Sequence, residues 1–210
     1  PGPHVSASND PPPETPRKSQ GSAANHVLWV DTSRDRSGRL VRERQVGTSK
    51  ANDTEVECVV RLVKMLNQAA GRAGRKPGAT DLGIITFYGP QIRMIRRRLD
   101  HVDAAEKEFL SIRLNTVDGF QGAEQSVVIV SLVRSKRGRI GEFARRFERI
   151  NVAMSRAQKL LIVLGAVETF RNVKVCLPGR DGKTRTRRCY SHILDVVRRY
   201  GGLRTVRDLL

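Results

Sequence analysis

Arg149 and Arg156 stand seven residues apart in the stretch RRFERINVAMSRAQKLLIVLGA, residues 145–166. On one helix that is two turns, which would put both guanidinium groups on one face about 10 Å apart. Asn151, Ala153 and Ala157 keep the surrounding surface slim. Arginine keeps its charge and forks onto phosphate oxygens, so the pair suits charge growing on a transferring phosphoryl group. Solvated arginines at the end of a surface helix would have the same spacing. A second polar set, Thr116, Asp118, Gln121 and Glu124, lies in NTVDGFQGAEQSVVIV (115–130) around Gly119 and Gly122. Such glycines let a backbone approach a ligand, and open parallel sheets gather ligands beyond the carboxyl ends of their strands. An ordinary loop whose acids cap neighbouring backbone is the alternative. A third set is Tyr88, Gln91 and Arg93 in TFYGPQIR (86–93), where a strand runs into a helix start that favours anions. Tyr88 and Gln91 suit a base or a phosphate, or else packing and solvent.

Charge points the same way. The 210 residues hold 39 Lys and Arg against 21 Asp and Glu, a net charge of +18 that fits a polyanionic partner, most simply nucleic acid. Residues 134–149, which Arg134 opens, carry seven Lys and Arg, and 171–188 carry another seven. Three cysteines without a C-x-x-C pair and four scattered histidines suggest neither a disulfide framework nor a metal site. No apolar run reaches membrane-spanning length and no signal-peptide core is present, so no membrane association is expected. The expected setting is intracellular, with cytoplasm and nucleus not distinguished.

The elements that must hold these groups are legible as pattern. Residues 1–25 contain six of the nine prolines and read as a disordered tail or linker. Thereafter apolar runs at 27–30, 82–86, 109–114, 126–133 and 160–165 read as strands covered on both faces. Asn52 with Glu55 reads as a capping box, followed by Val56, Val59, Val60, Val63 and Leu66 at helical spacing. Pro90 suits a first helical turn, with Ile92, Ile95 and Leu99 opposite Arg93, Arg96, Arg97 and Arg98. Strands alternating with helices imply a single α/β domain with a mostly parallel sheet flanked by helices. Residues 171–189 read as a basic loop and 190–200 as a closing helix.

Taken together, TVDGFQGAE before a buried strand, the Arg-rich linker and RRFERINVAMSRA before another strand resemble motifs V and VI of superfamily 1 helicases. The resemblance is to the 5′-to-3′ branch that includes the up-frameshift RNA helicase of nonsense-mediated decay. GIITFYGPQIRMIRRRL looks like motif IV of that group, and VGTSKANDTEVECVVRLVKML (46–66) like the segment that opens the same domain. The resemblance covers about residues 26–170 and implies the second, RecA-like (P-loop NTPase-type) motor domain, with 171–210 closing it.

By that resemblance Glu124 would contact the ribose hydroxyls, Arg156 would reach the γ-phosphate as an arginine finger, and Arg93 would be a second finger. Gln121 and Gly122 would sit at the nucleotide cleft with Tyr88 and Gln91, while Thr116, Asp118 and Arg134 would serve single-stranded RNA or DNA. Departures from the family pattern are Met154 and Ser155 for leucine and threonine, Phe87 for a common proline, and Ile92 where an arginine follows the glutamine.

ATP hydrolysis needs a phosphate loop, G-x-x-x-x-G-K-[ST], and carboxylates for magnesium. LPGRDGKT (177–184) mimics only the loop's end, with Leu177 where the first glycine belongs, and VLWVDT (27–32) ends in Asp31 without a following glutamate. The expectation is therefore a fragment of an ATP-dependent helicase, inactive alone, whose ATP and Mg2+ are bound mainly by an N-terminal RecA-like partner domain. The competing readings are a non-catalytic basic nucleic-acid-binding module and a regulatory half that docks on a separate ATPase subunit.

Overall fold

The structure, a computed structural model, describes residues 26–136, 140–141, 145–178 and 183–210. The expected disordered tail (1–25) and part of each basic cluster lie outside the described residues.

Val27–Asp31 forms β1, the short hairpin strands Arg44–Val46 and Ser49–Ala51 form β2 and β3, and Asp53–Arg72 forms helix α1. The Asn52 side chain caps α1 by accepting from the Glu55 N–H, so half of the expected capping box is present. The other half is not. Glu55 turns into the core, and the Asn52 N–H donates instead to Gln91 Oε1 at 2.8 Å. Val56, Val59 and Val63 are buried at helical spacing, whereas Val60 and Leu66 are only partly covered.

Thr80–Thr86 (β4), Gly89–Asp100 (α2), Leu110–Thr116 (β5) and Gln125–Ser131 (β6) follow. Next come Phe147–Met154 (α3), Ala157–Gly165 (β7), Val167–Phe170 (α4), Val175–Pro178 (β8), Thr184–Arg187 (β9), Cys189–Arg199 (α5) and Leu203–Thr205 (β10). Six strands form one sheet in the order β10-β1-β7-β6-β4-β5, and every pairing is parallel. The expected α/β architecture is thus observed. Val128 and Val130 of β6 face one layer with α3, α4 and α5, while Val127 and Ile129 face the other with α1 and α2. Both faces being covered explains the near-continuous Val/Ile/Leu of the central strands.

Some expectations are corrected. β5 is an edge strand, with Ser111 and Arg113 exposed, so it is not covered on both faces. β6 stops at Ser131 rather than 133, because Val133 takes φ +69°, a left-handed value that a β-branched residue strongly disfavours. The described part of the expected basic loop is an antiparallel β8–β9 hairpin. Leu177 and Thr184 therefore lie on paired strands, whereas a phosphate loop joins a strand to a helix. The closing helix α5 is followed by an unforeseen strand, β10, which pairs with β1. Asp31 caps local backbone, accepting from the N–H groups of Ser33 (2.9 Å) and Val167 (3.0 Å). Trp29 is fully buried, its Nε1 donating to the Gly165 carbonyl at 2.8 Å.

Candidate nucleotide and nucleic-acid site

With all strands of the six-stranded sheet parallel, a residue just before one of them lies at the amino edge of that sheet and one just after it at the carboxyl edge. Glu124 precedes β6 and Arg156 precedes β7, so both lie at the amino edge. They are held side by side: the Gln125 N–H donates to the Arg156 carbonyl at 3.0 Å, and Gln158 Nε2 donates to Glu124 Oε2 at 3.3 Å. Glu124 and Gln121 are exposed. Gly122 takes φ +76° with open space where a Cβ would stand, so the turn needs glycine for its backbone angle alone. Gly119 differs, because a Cβ there would lie 2.3 Å from the Asn115 amide. Its close approach is to the protein itself.

Arg156 is half-buried. Nη2 donates to Ser155 Oγ at 3.0 Å, and the buried Nε has no partner among the described residues. The helix ends at Met154, with the Ser155 N–H returning to the Asn151 carbonyl. Arg149 and Arg156 therefore do not share a helix face, which corrects the two-turn expectation. Arg149 Nη2 instead donates to Asp118 Oδ2 at 2.9 Å. That pair is partly solvated and contributes at most about 1 kcal/mol. Its effect is to tie the turn after β5 to α3.

The turn itself crosses the sheet. Thr116 ends β5 opposite Thr86 at the carboxyl edge, and Phe120, fully buried, lies against Gly83 in mid-strand before the chain reaches Glu124. Arg113 stacks over Phe120, 5.0 Å from the ring centre. The polar residues expected on one base beyond the carboxyl ends are thus divided between the two edges.

At the carboxyl edge Tyr88 is buried at the start of α2, and Arg93 is exposed one turn on. Arg93 and Arg156 stand at opposite edges, separated by the length of a strand, about 20 Å. The structure does not bring these two arginines together. Gln91 is fully buried, with its amide nitrogen donating to the Asn52 carbonyl (3.2 Å) and to Ser131 Oγ (3.1 Å). Arg134 is also largely buried, its Nε donating to Glu43 Oε1 at 3.1 Å. Burial pushes the Glu43 carboxyl up, but hydrogen bonds from Ser135 and the Arg134 charge outweigh it and leave it below the usual range.

Beside these residues lies a buried carboxylate, Glu55, whose spacing from Asn52 suggests only a helix cap. Glu55 Oε1 accepts from Thr32 Oγ1 (3.1 Å) and Asn52 Nδ2 (3.4 Å). Oε2 accepts from Ser131 Oγ (2.6 Å) and the Val133 N–H (2.9 Å), while the Val133 carbonyl accepts from Asn52 Nδ2 at 3.1 Å. Burial pushes the Glu55 carboxyl up to about 7, although the hydrogen bonds from Ser131, Val133 and Thr32 favour the ionised form. The signals were a serine inside an apolar run and a polar Thr32 directly after a strand. The strained Val133 is held between Glu55 and Asn52, and it immediately precedes Arg134. No group of three or more metal-ligating side chains occurs among the described residues, and no described helix is long and apolar enough to cross a membrane.

The family described as an AAA domain matches residues 4–168. Over 147 residues, 70% of the chain, the sequence is 35% identical to the DNA replication ATP-dependent helicase/nuclease DNA2 of Xenopus laevis, covering 12% of that protein. It is 30% identical over 157 residues (75% of the chain, 22% of the relative) to the DNA polymerase alpha-associated DNA helicase A of Saccharomyces cerevisiae. It is 33% identical over 147 residues (70% and 13%) to the DNA-binding protein SMUBP-2 of Rattus norvegicus. The chain spans less than a quarter of each of these relatives.

Proposed function

The chain belongs to the superfamily 1 helicases through their AAA domain, and we propose that it works as the second, C-terminal motor domain of an ATP-dependent helicase. The observation that carries this reading is the pairing of Glu124 and Arg156 at the amino edge, fixed by the Gln125–Arg156 backbone bond. That bond brings the backbones of Glu124 and Arg156 together on adjoining strands, which supports one shared place for a carboxylate taking ribose hydroxyls and a guanidinium taking a phosphate. The half-buried guanidinium donates from Nη2 to Ser155 Oγ at 3.0 Å, and its buried Nε has no partner among the described residues. The residues fit ATP as contributors to a shared cleft. No G-x-x-x-x-G-K-[ST] loop occurs in the sequence and no described cluster suits magnesium, so a second, phosphate-loop-bearing domain is assigned most of the nucleotide and its Mg2+.

In that shared cleft ATP supplies the phosphoryl group whose loss separates the two domains. Arg156 stabilises charge on the outer phosphate oxygens, and Glu124 orients the ribose. Two connections run from the carboxyl edge to this pair: the turn from Thr116 to Glu124, and α3, which carries Arg149 and ends two residues before Arg156. The Arg149–Asp118 pair joins them. Single-stranded nucleic acid at Thr116 and Asp118 would shift both connections together, and with them the groups facing the nucleotide.

The test is ATP hydrolysis by the purified 210-residue chain and by the complete enzyme, with and without single-stranded DNA or RNA. The chain alone is expected to be inactive. In the complete enzyme Arg156→Ala is expected to lower turnover about a thousandfold or more. Turnover by the chain alone, or an unaffected Arg156→Ala enzyme, would remove the assignment.

A further inference from the structure

Two basic segments far apart in sequence meet in the fold. Arg146, just before α3, bridges to Cys176 of β8, and Arg145 Nε donates to the Lys174 carbonyl at 3.3 Å. Arg145, Arg146, Lys174, Arg187 and Arg188 are all exposed. Against seven Lys and Arg, residues 171–188 hold one acid, Asp181.

Against this cluster lies a groove of about 620 Å³ between α3, the β8–β9 hairpin and α5. Phe147, Met154, Leu177 and Ile193 give it an apolar lining, with Arg187, Arg188 and His192 along its side. Glu148 and Asp195, the acids of the two flanking helices, are not part of that lining.

We propose that this groove is a binding site for single-stranded nucleic acid, separate from the Thr116–Asp118 region. Backbone phosphates lie along Arg145, Arg146, Arg187 and Arg188, and bases lie over Phe147 and the apolar floor. Charge complementarity selects a polyanion. The floor selects a single strand, because a duplex keeps its base faces stacked inside and has nothing to offer an apolar groove. The site goes beyond the motor reading, since it requires neither ATP nor a second domain. It gives the chain a grip on the strand outside the part of the fold that faces the nucleotide.

The test is fluorescence anisotropy of a fluorescein-labelled oligothymidylate with the full chain across a salt series. Arg187→Glu/Arg188→Glu is expected to weaken binding at least about tenfold and to flatten the log–log salt slope by about 1.4, the value for two phosphate contacts on a single strand. Arg187→Lys/Arg188→Lys should keep most of the affinity. Unchanged affinity and slope in the charge-reversed chain would overturn the proposal. Photo-crosslinking of a 5-iodouracil oligonucleotide to the unaltered chain gives a reading independent of any variant's folding. Crosslinks at Phe147 or His192 support the site, and crosslinks confined to other segments overturn it. If charge reversal abolished binding of a glutamate- and leucine-rich peptide but not of the oligonucleotide, the groove would belong to an acidic protein segment instead. ATP turnover of the complete enzyme is read separately, so failure here leaves the motor assignment to its own test.

Discussion

Asn52 and Gln91 hold each other by two hydrogen bonds: the Asn52 N–H to Gln91 Oε1 at 2.8 Å, and Gln91 Nε2 to the Asn52 carbonyl at 3.2 Å. This pair locks the start of α1 to the start of α2 at the carboxyl edge of the sheet. Through Ser131 and Glu55 it reaches the ends of β6 and β1. Because every member is buried, removing one group leaves another without a partner in a place water does not reach.

Gln91→Leu should therefore be costly although it adds apolar surface. It leaves the Asn52 N–H unpaired, and the expected loss is about 1–3 kcal/mol. Chemical denaturation of the chain checks this, and a change within error would mean that water replaces the glutamine.

Glu55 makes stability depend on pH in a defined direction. Its folded value of about 7 lies above the unfolded 4.5, so the folded chain holds a proton that the unfolded chain releases. The stabilisation from this group is full below pH 4.5 and is lost as pH rises through about 7. Glu55→Gln should lack that component. The comparison is the melting temperature of the two chains between those limits, and parallel curves would refute it.

At Gly122, alanine meets no neighbour but must adopt φ +76°. The expected cost is about 1–2 kcal/mol from the backbone alone, with Gly122→Asn milder because asparagine tolerates that region. Thermal denaturation of the two variants tests the order, and equal effects would point to a contact rather than a backbone cause.

Arg149→Ala should separate stability from coupling. Breaking the partly solvated pair with Asp118 should cost less than about 1 kcal/mol. In the complete enzyme it should nevertheless reduce the stimulation of ATP turnover by single-stranded nucleic acid while leaving basal turnover nearly intact. Full stimulation in the variant would show that the turn and α3 communicate by another route.

The central strands and α1 and α2 were readable because burial on both faces of a parallel sheet, and the one-sided burial of helices, print themselves as apolar runs and helical periods. The hairpin at 175–187 was not, since a strand exposed along its length, such as Thr184–Arg187, carries no apolar alternation. β10 is too short to show a pattern and is defined by its pairing with β1. For the candidate site, spacing singles out Glu124 and Arg156 but sets Glu124 beyond the carboxyl ends of the strands and Arg149 on the helix face of Arg156, because a helix stop at Met154 leaves no glycine or proline to announce it. The three-residue distance from Asn52 marks Glu55 only as a cap. Apart from Asn52, its partners come from two other segments, Thr32 after β1 and Ser131 and Val133 at the end of β6, and no local pattern encodes them.

The pairing of β10 with β1 also bears on synthesis. The edge strand at 203–205 leaves a ribosome only after every other strand of its sheet, its neighbour 27–31 included. Until Leu203 is made, β1 presents an open row of amide and carbonyl groups along that side, a template for pairing with other chains. The fit is also close: a Cβ at Gly202 would lie 2.4 Å from the Val27 carbonyl oxygen. A ribosome stalled before that glycine would hold five of the sheet's six strands, with β1 as an adhesive margin.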